Sequence, residues 1–321
     1  MENLEALIEA LQKAERILIA SHVNPDGDSI GTLIGLGLAL ESLGKEVIMV
    51  NSDETPLMFK FLKGANRIHC PKEIESIPET VVLVDCTDLE RVGTELAERL
   101  KEATVLINID HHVSNNYFGH YNLVDANAAA TAEIILRLLP LLEIEPDKDI
   151  ATALYTGLVM DTGSFQYSNT TPAAHRSAAY LLQKDVDLDQ VRNVLFETRT
   201  VSMLRLIGEA LRLLQLTPDG KIAWVEITQE IMHQTGARDE HCEGIINYPR
   251  SVMGVEIAIL FREITPGKIK VGLRSKRKVN VNQLAGFFGG GGHQRAAGCI
   301  IEGNMKEVVP KVLEEAQKLL A

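Results

Sequence analysis

Through the first 160 residues, short aliphatic runs alternate with longer stretches in which apolar side chains recur at helical spacing. The spacing predicts strands near 16–21, 46–50, 81–85 and 105–109, and helices near 29–43, 130–141 and 150–160. Such alternation implies a parallel sheet covered by helices. A further helix is expected over 171–182, and 190–214 reads as largely helical. The second half predicts strands near 221–227, 255–262 and 268–274, a helix over 281–287 and a closing amphipathic helix over 305–320. The fold class is therefore α/β, a helix-covered parallel sheet followed by a smaller α/β domain. Boundaries are expected at 1–187 for the first domain, 188–205 for a connector and 206–321 for the second.

The polar residues that interrupt this pattern gather where strands end. The aliphatic run Arg16-Ile17-Leu18-Ile19-Ala20 leads into Ser21-His22-Val23-Asn24-Pro25-Asp26-Gly27-Asp28-Ser29, then into a long apolar stretch. His22, Asp26 and Asp28 thus fall on a strand-to-helix turn, where Pro25 fixes the backbone and Gly27 accepts unusual dihedrals. Carboxylates this crowded repel unless a cation or a basic side chain neutralises them, and mixed His and Asp suits Mn²⁺, Fe²⁺, Co²⁺ or Zn²⁺. The bland alternative is a turn that caps a helix, with Asp28 or Ser29 as the N-cap.

The same arrangement recurs. Val81-Val82-Leu83-Val84 ends in Asp85, and Val105-Leu106-Ile107-Asn108-Ile109 leads into Asp110-His111-His112. In an open parallel sheet ligands bind outside the carboxyl ends of the strands, so these clusters are expected in one crevice. Asp161 joins them at the end of a small-residue helix-like run. His22, Asp26, Asp28, Asp85, His111 and Asp161 make six candidate ligands, a set that suits two divalent cations with Asp85 as the bridge. Two such ions can hold a hydroxide and stabilise an in-line displacement at phosphorus, which points to phosphoester hydrolysis.

In the second half, the run Gly289 to Gly292 precedes His293 and Ala296-Ala297-Gly298. Glycines let backbone N–H groups approach a phosphate closely, and His293 can add a donor; a packing turn is the plain alternative. The stretch 268–278 alternates like an edge or half-buried strand, with Lys270, Arg274, Lys276, Arg277 and Lys278 on its outward side.

With 45% hydrophobic and 24% charged residues, 321 residues suffice for two domains. No apolar run approaches the roughly 18 residues of a membrane span. The amphipathic start, with Leu4, Leu7, Ile8 and Leu11 on one face, lacks the basic residues of a signal peptide. Cys70, Cys86, Cys242 and Cys299 show no C-x-x-C spacing and fit a reduced cytoplasmic protein; Cys86, beside Asp85, is either near the metals or a small buried hydrophobe. The net charge of −12 argues against capture of long strands, which relies on extended basic surfaces. Short substrates gripped at their ends are expected. Ser164, Asn169, Thr170 and His175 read as turn or cap residues, and His69, His120, His233 and His241 have no partner pattern.

The order His-x-x-x-Asp-x-Asp-Ser, a strand-end Asp, Asp-His-His and Asp-Thr-Gly resembles the DHH phosphoesterase superfamily, and Gly290 to Gly298 resembles the signature of its DHHA1 domain. The whole chain is similar to the bifunctional oligoribonuclease and 3′,5′-bisphosphonucleoside (pAp) phosphatase branch of the NrnA type. The resemblance implies that His22, Asp26 and Asp85 hold one metal and Asp28, Asp85, His111 and Asp161 the other, with Mn²⁺ favoured over Mg²⁺ or Co²⁺. His112 would then face the substrate phosphate, Asp110 would orient a neighbouring His, and Arg274, Ser275, Gly290, Gly291, Gly292 and His293 would bind substrate across an interdomain cleft. Implied substrates are very short single-stranded RNA (nanoRNA) and pAp. Linear dinucleotides such as pApA and pGpG are the alternative, and a non-catalytic nucleotide sensor is the alternative of another class. A homodimer stays open.

Overall fold

The aliphatic runs of the first half form parallel strands. The computed structural model describes residues 2–101, 103–242 and 244–320, without the side chains of Glu2, Asn3 and His293. Two compact units divide the chain, Met1–Thr198 and Arg199–Ala321.

In the first unit α1 (Glu2–Lys13) precedes β1 (Arg16–Ala20), α2 (Gly27–Ser42) and β2 (Glu46–Val50). Then come β3 (Thr80–Val84), α3 (Thr94–Leu100), β4 (Val105–Asp110) and β5 (Tyr121–Val124), followed by α4 (Thr131–Leu138), α5 (Lys148–Asp161), α6 (Pro172–Leu182) and α7 (Leu188–Arg192). The strand order is β2-β1-β3-β4-β5, with every pair parallel. The chain leaves β1 to add β2 on one flank and returns to add β3 on the other, which opens a crevice beyond the carboxyl ends of β1 and β3.

Both faces of this sheet are covered, which is why its strands read as unbroken aliphatic runs. Ile17, Ile19, Val82, Val84, Ile107 and Ile109 pack with residues of α1, α2, α4 and α5, while Leu18, Ala20, Val81 and Leu83 pack with Leu96 and Leu100 of α3. The helices α2 and α5 approach through glycine. A Cβ on Gly31 would lie 2.4 Å from the Ala153 carbonyl oxygen, so only glycine permits the approach that sets the start of α2 beside the end of α5.

Two features go beyond the expected pattern. Strand β5 was not foreseen, because Tyr121-Asn122-Leu123-Val124 is a short, half-buried edge with no apolar run of its own. The segment 190–214 is largely helical, as expected, with one break: α7 continues as a π-helical turn, Asn193–Glu197, and a new helix begins only after Thr200. The Thr200 side chain accepts from the Met203 N–H, a capping bond that competes with helix continuation.

In the second unit α8 (Val201–Arg212), β6 (Gln215–Leu216), β7 (Ile222–Ile227), α9 (Gln229–Thr235) and α10 (Asn247–Ser251) precede β8 (Ile257–Thr265) and β9 (Lys268–Ser275). They are followed by α11 (Val281–Phe287), β10 (Gly291–His293), β11 (Ala296–Glu302) and α12 (Met305–Lys318). The sheet order is β10-β11-β9-β8-β7-β6, with β7 and β8 parallel and the other pairs antiparallel. Strand β9 is therefore interior rather than an edge: its alternation showed one buried face, and only the pairing with β11 covers its second side. No helix among the described residues is long and apolar enough to cross a membrane.

Candidate metal centre and active site

Beyond β1, β3 and β4, six side chains meet. The His22 Nε2 lies 3.3 Å from Asp85 Oδ2 and 3.9 Å from Asp26 Oδ1. The His111 Nε2 lies 3.5 Å from Asp161 Oδ2, 3.7 Å from Asp85 Oδ1 and 4.0 Å from Asp28 Oδ2. Two donor sets result, His22/Asp26/Asp85 and Asp28/His111/Asp161, and a third combination, Asp85/His111/His112, overlaps them. Asp85 presents one oxygen to each imidazole, so its carboxylate spans both sets. Its φ of 58° is left-handed, an uncommon conformation for an aspartate and one that concentrates where local function over-determines the backbone.

The local folding around the candidate ligands has a cause. Asp26, rather than Asp28 or Ser29, caps α2: its Oδ1 accepts the N–H groups of Asp28 and Ser29, both at 3.0 Å. Asp28 instead reaches the start of α4, whose own cap residue, Ala130, makes no side-chain bond. Its oxygens accept from the Thr131 N–H at 2.6 Å, the Ala132 N–H at 3.0 Å and the Thr32 hydroxyl at 3.0 Å. The helix N-terminus favours the carboxylate there.

A ring of supporting bonds holds the candidate ligands. The Thr131 hydroxyl donates to Asp85 Oδ1 at 2.9 Å. The His112 Nδ1 lies 2.7 Å from Asp110 Oδ1, which also accepts from the His111 N–H. The Asn169 amide, expected to shape a turn or cap a helix, donates to the Asp161 carbonyl at 3.0 Å and the Ala129 carbonyl at 2.9 Å. The cap of α6 is Thr171, not Thr170, and His175 stacks on Phe165. Thr131 was missed altogether. Its only sequence signal is its place at the start of an apolar-periodic stretch, and that is a position where a capping threonine is ordinary.

Electrostatics show why such a cluster suits cations. Burial and the charges of Asp85 and Asp161 push the Asp28 carboxyl up, and burial with Asp26 and Asp85 raises that of Asp161 to about 7. Burial alone would lower His22, but the hydrogen bond and charge of Asp85 outweigh it and raise the imidazole to about 9. His111 rises to about 9 against its burial, through Asp161, Asp85 and Asp28. Asp85 goes down, since three nearby histidines overcome its burial. The metal-free cluster thus balances its carboxylates with protons, the role divalent cations take when ligands deprotonate to bind them. Four carboxylates and two imidazoles at these spacings fit borderline divalent ions, whose ligand bonds are about 2.0–2.2 Å.

Other candidates settle into structural places. Cys86 is buried among the residues between the sheet and α3, where burial pushes its thiol up. His120 accepts from the Leu106 N–H at 2.9 Å, and the His241 Nδ1 accepts from the Arg238 N–H at 3.0 Å.

In the second unit Arg274 lies half-buried on β9. Ser275 is buried, and its hydroxyl donates to the Val279 carbonyl at 2.7 Å, closing the turn after β9. Gly290 and Gly292 answer to packing. A Cβ on Gly290 would sit 2.2 Å from the Gly298 oxygen, and on Gly292 2.6 Å from the Ala296 oxygen, at φ +144°. Gly291 has more room, since a Cβ there meets nothing nearer than Asn282 Oδ1 at 3.8 Å. The His293 side chain lies outside the described residues.

Comparison with known proteins decides the family. The model of the DHH family, N-terminal domain, matches residues 16–158, and that of the DHHA1 domain matches residues 220–321. The chain is 35% identical, over 99% of its length and 95% of the relative's, to the bifunctional oligoribonuclease and PAP phosphatase NrnA of Thermus thermophilus.

The chain belongs to the DHH phosphoesterase family.

It is also 28% identical to the Bacillus subtilis protein of the same name, over 92% of both chains. Among solved structures it resembles an exopolyphosphatase-related protein from Bacteroides fragilis, with a TM-score of 0.93, 29% identity and coverage of 99% of this chain and 96% of that one. The family resemblance read from the motifs and the α/β class read from the hydrophobic pattern therefore hold, and DHH phosphoesterases are metal-dependent hydrolases.

Proposed function

We propose that this DHH phosphoesterase hydrolyses very short oligoribonucleotides to mononucleotides and removes the 3′-phosphate of pAp. The observation that carries the reading is the carboxylate of Asp85, whose two oxygens face imidazoles of two separate donor sets. The names of the Thermus and Bacillus relatives, oligoribonuclease and PAP phosphatase, support the substrate classes.

In this reading His22, Asp26 and Asp85 hold one Mn²⁺, and Asp28, Asp85, His111 and Asp161 the other. When bound, such ions generate a nucleophile from water at neutral pH and offset charge developing on the phosphate. His112 orients a non-bridging phosphate oxygen, while Asp110 holds the ring through Nδ1. The hydrogen bond and charge of Asp110, with the charge of Asp85, raise His112 despite the lowering effect of burial, which keeps the imidazole a donor. Thr131 fixes the rotation of Asp85, and the N–H groups at the start of α4 fix Asp28. Arg274 supplies charge for a terminal phosphate, and the backbone at Gly291 is open to a second contact.

The test is product analysis by chromatography with Mn²⁺ on pAp, pApA, a five-nucleotide RNA, a 24-nucleotide RNA and pyrophosphate, with Asp85→Ala as the blank. Mononucleotides from the short RNA and AMP from pAp, with the long RNA and pyrophosphate spared, are expected. Hydrolysis of pApA alone would move the function to dinucleotide turnover, and no hydrolysis with metal bound would replace the enzyme by a sensor.

A further inference from the structure

We propose that Asn115 is a positioning residue that fixes the orientation of His112 through Asp110; the proposal rests on the reading of His112 as the imidazole that meets phosphate. Asn115 lies three residues beyond His112 and is 8% exposed. Its Nδ2 is 2.6 Å from Asp110 Oδ2, 2.8 Å from Asn108 Oδ1 and 3.0 Å from the Cys86 carbonyl oxygen. Two amide protons serve these three acceptors, and the nearest is the charged one. Asp110 is fully buried, and its other oxygen accepts from the His111 N–H at 2.9 Å and meets His112 Nδ1 at 2.7 Å. With one oxygen tied to Asn115 and the other to the backbone, the carboxylate plane is held, and with it the direction from which it meets the His112 ring.

The amide is itself anchored on rigid structure. Asn108, fully buried in β4, donates to the Cys86 carbonyl at 3.0 Å and offers its own oxygen to Asn115. The Asn115 Oδ1 accepts from the Tyr117 N–H at 2.7 Å, in a turn where Tyr117 takes a φ of 56°. The next residue, Asn116, donates its N–H to the Thr87 carbonyl at 3.0 Å. One side chain thereby joins the ends of β3 and β4 to the loop that follows the Asp-His-His run. Asn115 touches none of the six candidate ligands in these contacts, so its influence is expected on turnover more than on metal binding.

The experiment is a double-mutant cycle on the full chain, loaded with Mn²⁺ and assayed on pAp. Asn115→Ala is expected to lower kcat about 10- to 100-fold, the range for partners of active-site groups, with KM and the calorimetric Mn²⁺ affinity within about threefold of wild type. In a His112→Ala background the same substitution is expected to change kcat less than about twofold, because its effect passes through that ring. A kcat unchanged by Asn115→Ala, a loss carried by KM or Mn²⁺ affinity, or an equal loss in the His112→Ala background overturns the proposal. If Asn115→Ala does not fold by circular dichroism, Asn115→Leu, which fills nearly the same space and has no donor, enters the same cycle under the same criteria. Unchanged turnover in His112→Ala alone would overturn the reading of His112 itself, and the Asn115 proposal with it.

Discussion

Replacing Thr131 by valine removes one hydroxyl from a fully buried site while nearly preserving shape. The hydroxyl donates to Asp85 Oδ1 at 2.9 Å, and the Thr131 backbone N–H to Asp28, which valine retains, is a separate bond. A hydrogen bond to a charged group contributes about 1.5–3 kcal/mol, so the metal-free protein is expected to lose that much stability in urea unfolding with chelator present. With Mn²⁺ bound, the loss appears as misorientation of the carboxylate that spans both donor sets. About 1.4 kcal/mol corresponds to tenfold, so the same energy predicts a decrease in kcat/KM of about 10- to 150-fold on pAp. Thr131→Ser is the control: it keeps the donor, sacrifices a methyl group worth about 1 kcal/mol of packing, and should retain most activity. If Thr131→Val and Thr131→Ser have the same kcat/KM, within twofold of wild type, the orientation of Asp85 does not depend on this hydroxyl and the reasoning fails.

The remaining predictions concern charge, packing and substrate. For the chelated protein, His22 is raised from 6.5 to about 9, so its contribution, on the order of 3 kcal/mol, is full below pH 6.5 and lost as pH rises through 9. Asp161, raised from 3.8 to about 7, loses its contribution earlier in the same direction. The melting temperature without metal should therefore fall between pH 6.5 and 9 while the rise on adding Mn²⁺ grows; a melting temperature without metal that climbs over this window would contradict the assignment of these shifts. Gly31→Ala places a methyl 2.4 Å from the Ala153 oxygen and 2.9 Å from the Gly157 nitrogen, backbone atoms that cannot swing away. A loss of about 1–3 kcal/mol by urea unfolding, with weaker Mn²⁺ binding as α2 and α5 separate, is expected. Arg274→Ala should raise KM for pAp about tenfold or more with kcat little changed, as steady-state kinetics will show; an unchanged KM would remove Arg274 from the substrate site.

Much of this protein was legible along the chain because its chemistry is local. A parallel strand buried on both faces must be aliphatic throughout, so β1, β3 and β4 announced themselves, and the polar residues just beyond them marked the mouth of the sheet. His22, Asp26 and Asp28 share one turn, and Asp110, His111 and His112 share another, so spacing alone grouped them. Family membership followed from the same motifs. The short edge β5 and the break at Thr200 escaped because four evenly half-exposed residues are too few to show an alternation and a capping threonine looks ordinary within an apolar stretch.

The amino-acid sequence by itself determined the layered α/β class and the order of the candidate ligand residues at the strand ends. Only the tertiary structure decided how those residues are held. Asp28 meets Thr131 across more than a hundred positions of chain because glycine lets α2 lie against α5 and α4 starts beside them. Asn115, Thr131 and Asn169 are polar residues of common type in common settings, and each became informative only through the partner it found. Ser275, which the family resemblance pairs with Arg274, likewise has its hydroxyl turned inward to close a turn, a partner its place in the sequence does not announce. The physical reason is the same in each case. A buried polar group must be paired, and which partner comes within 3 Å is set by how the elements pack, which no local pattern records.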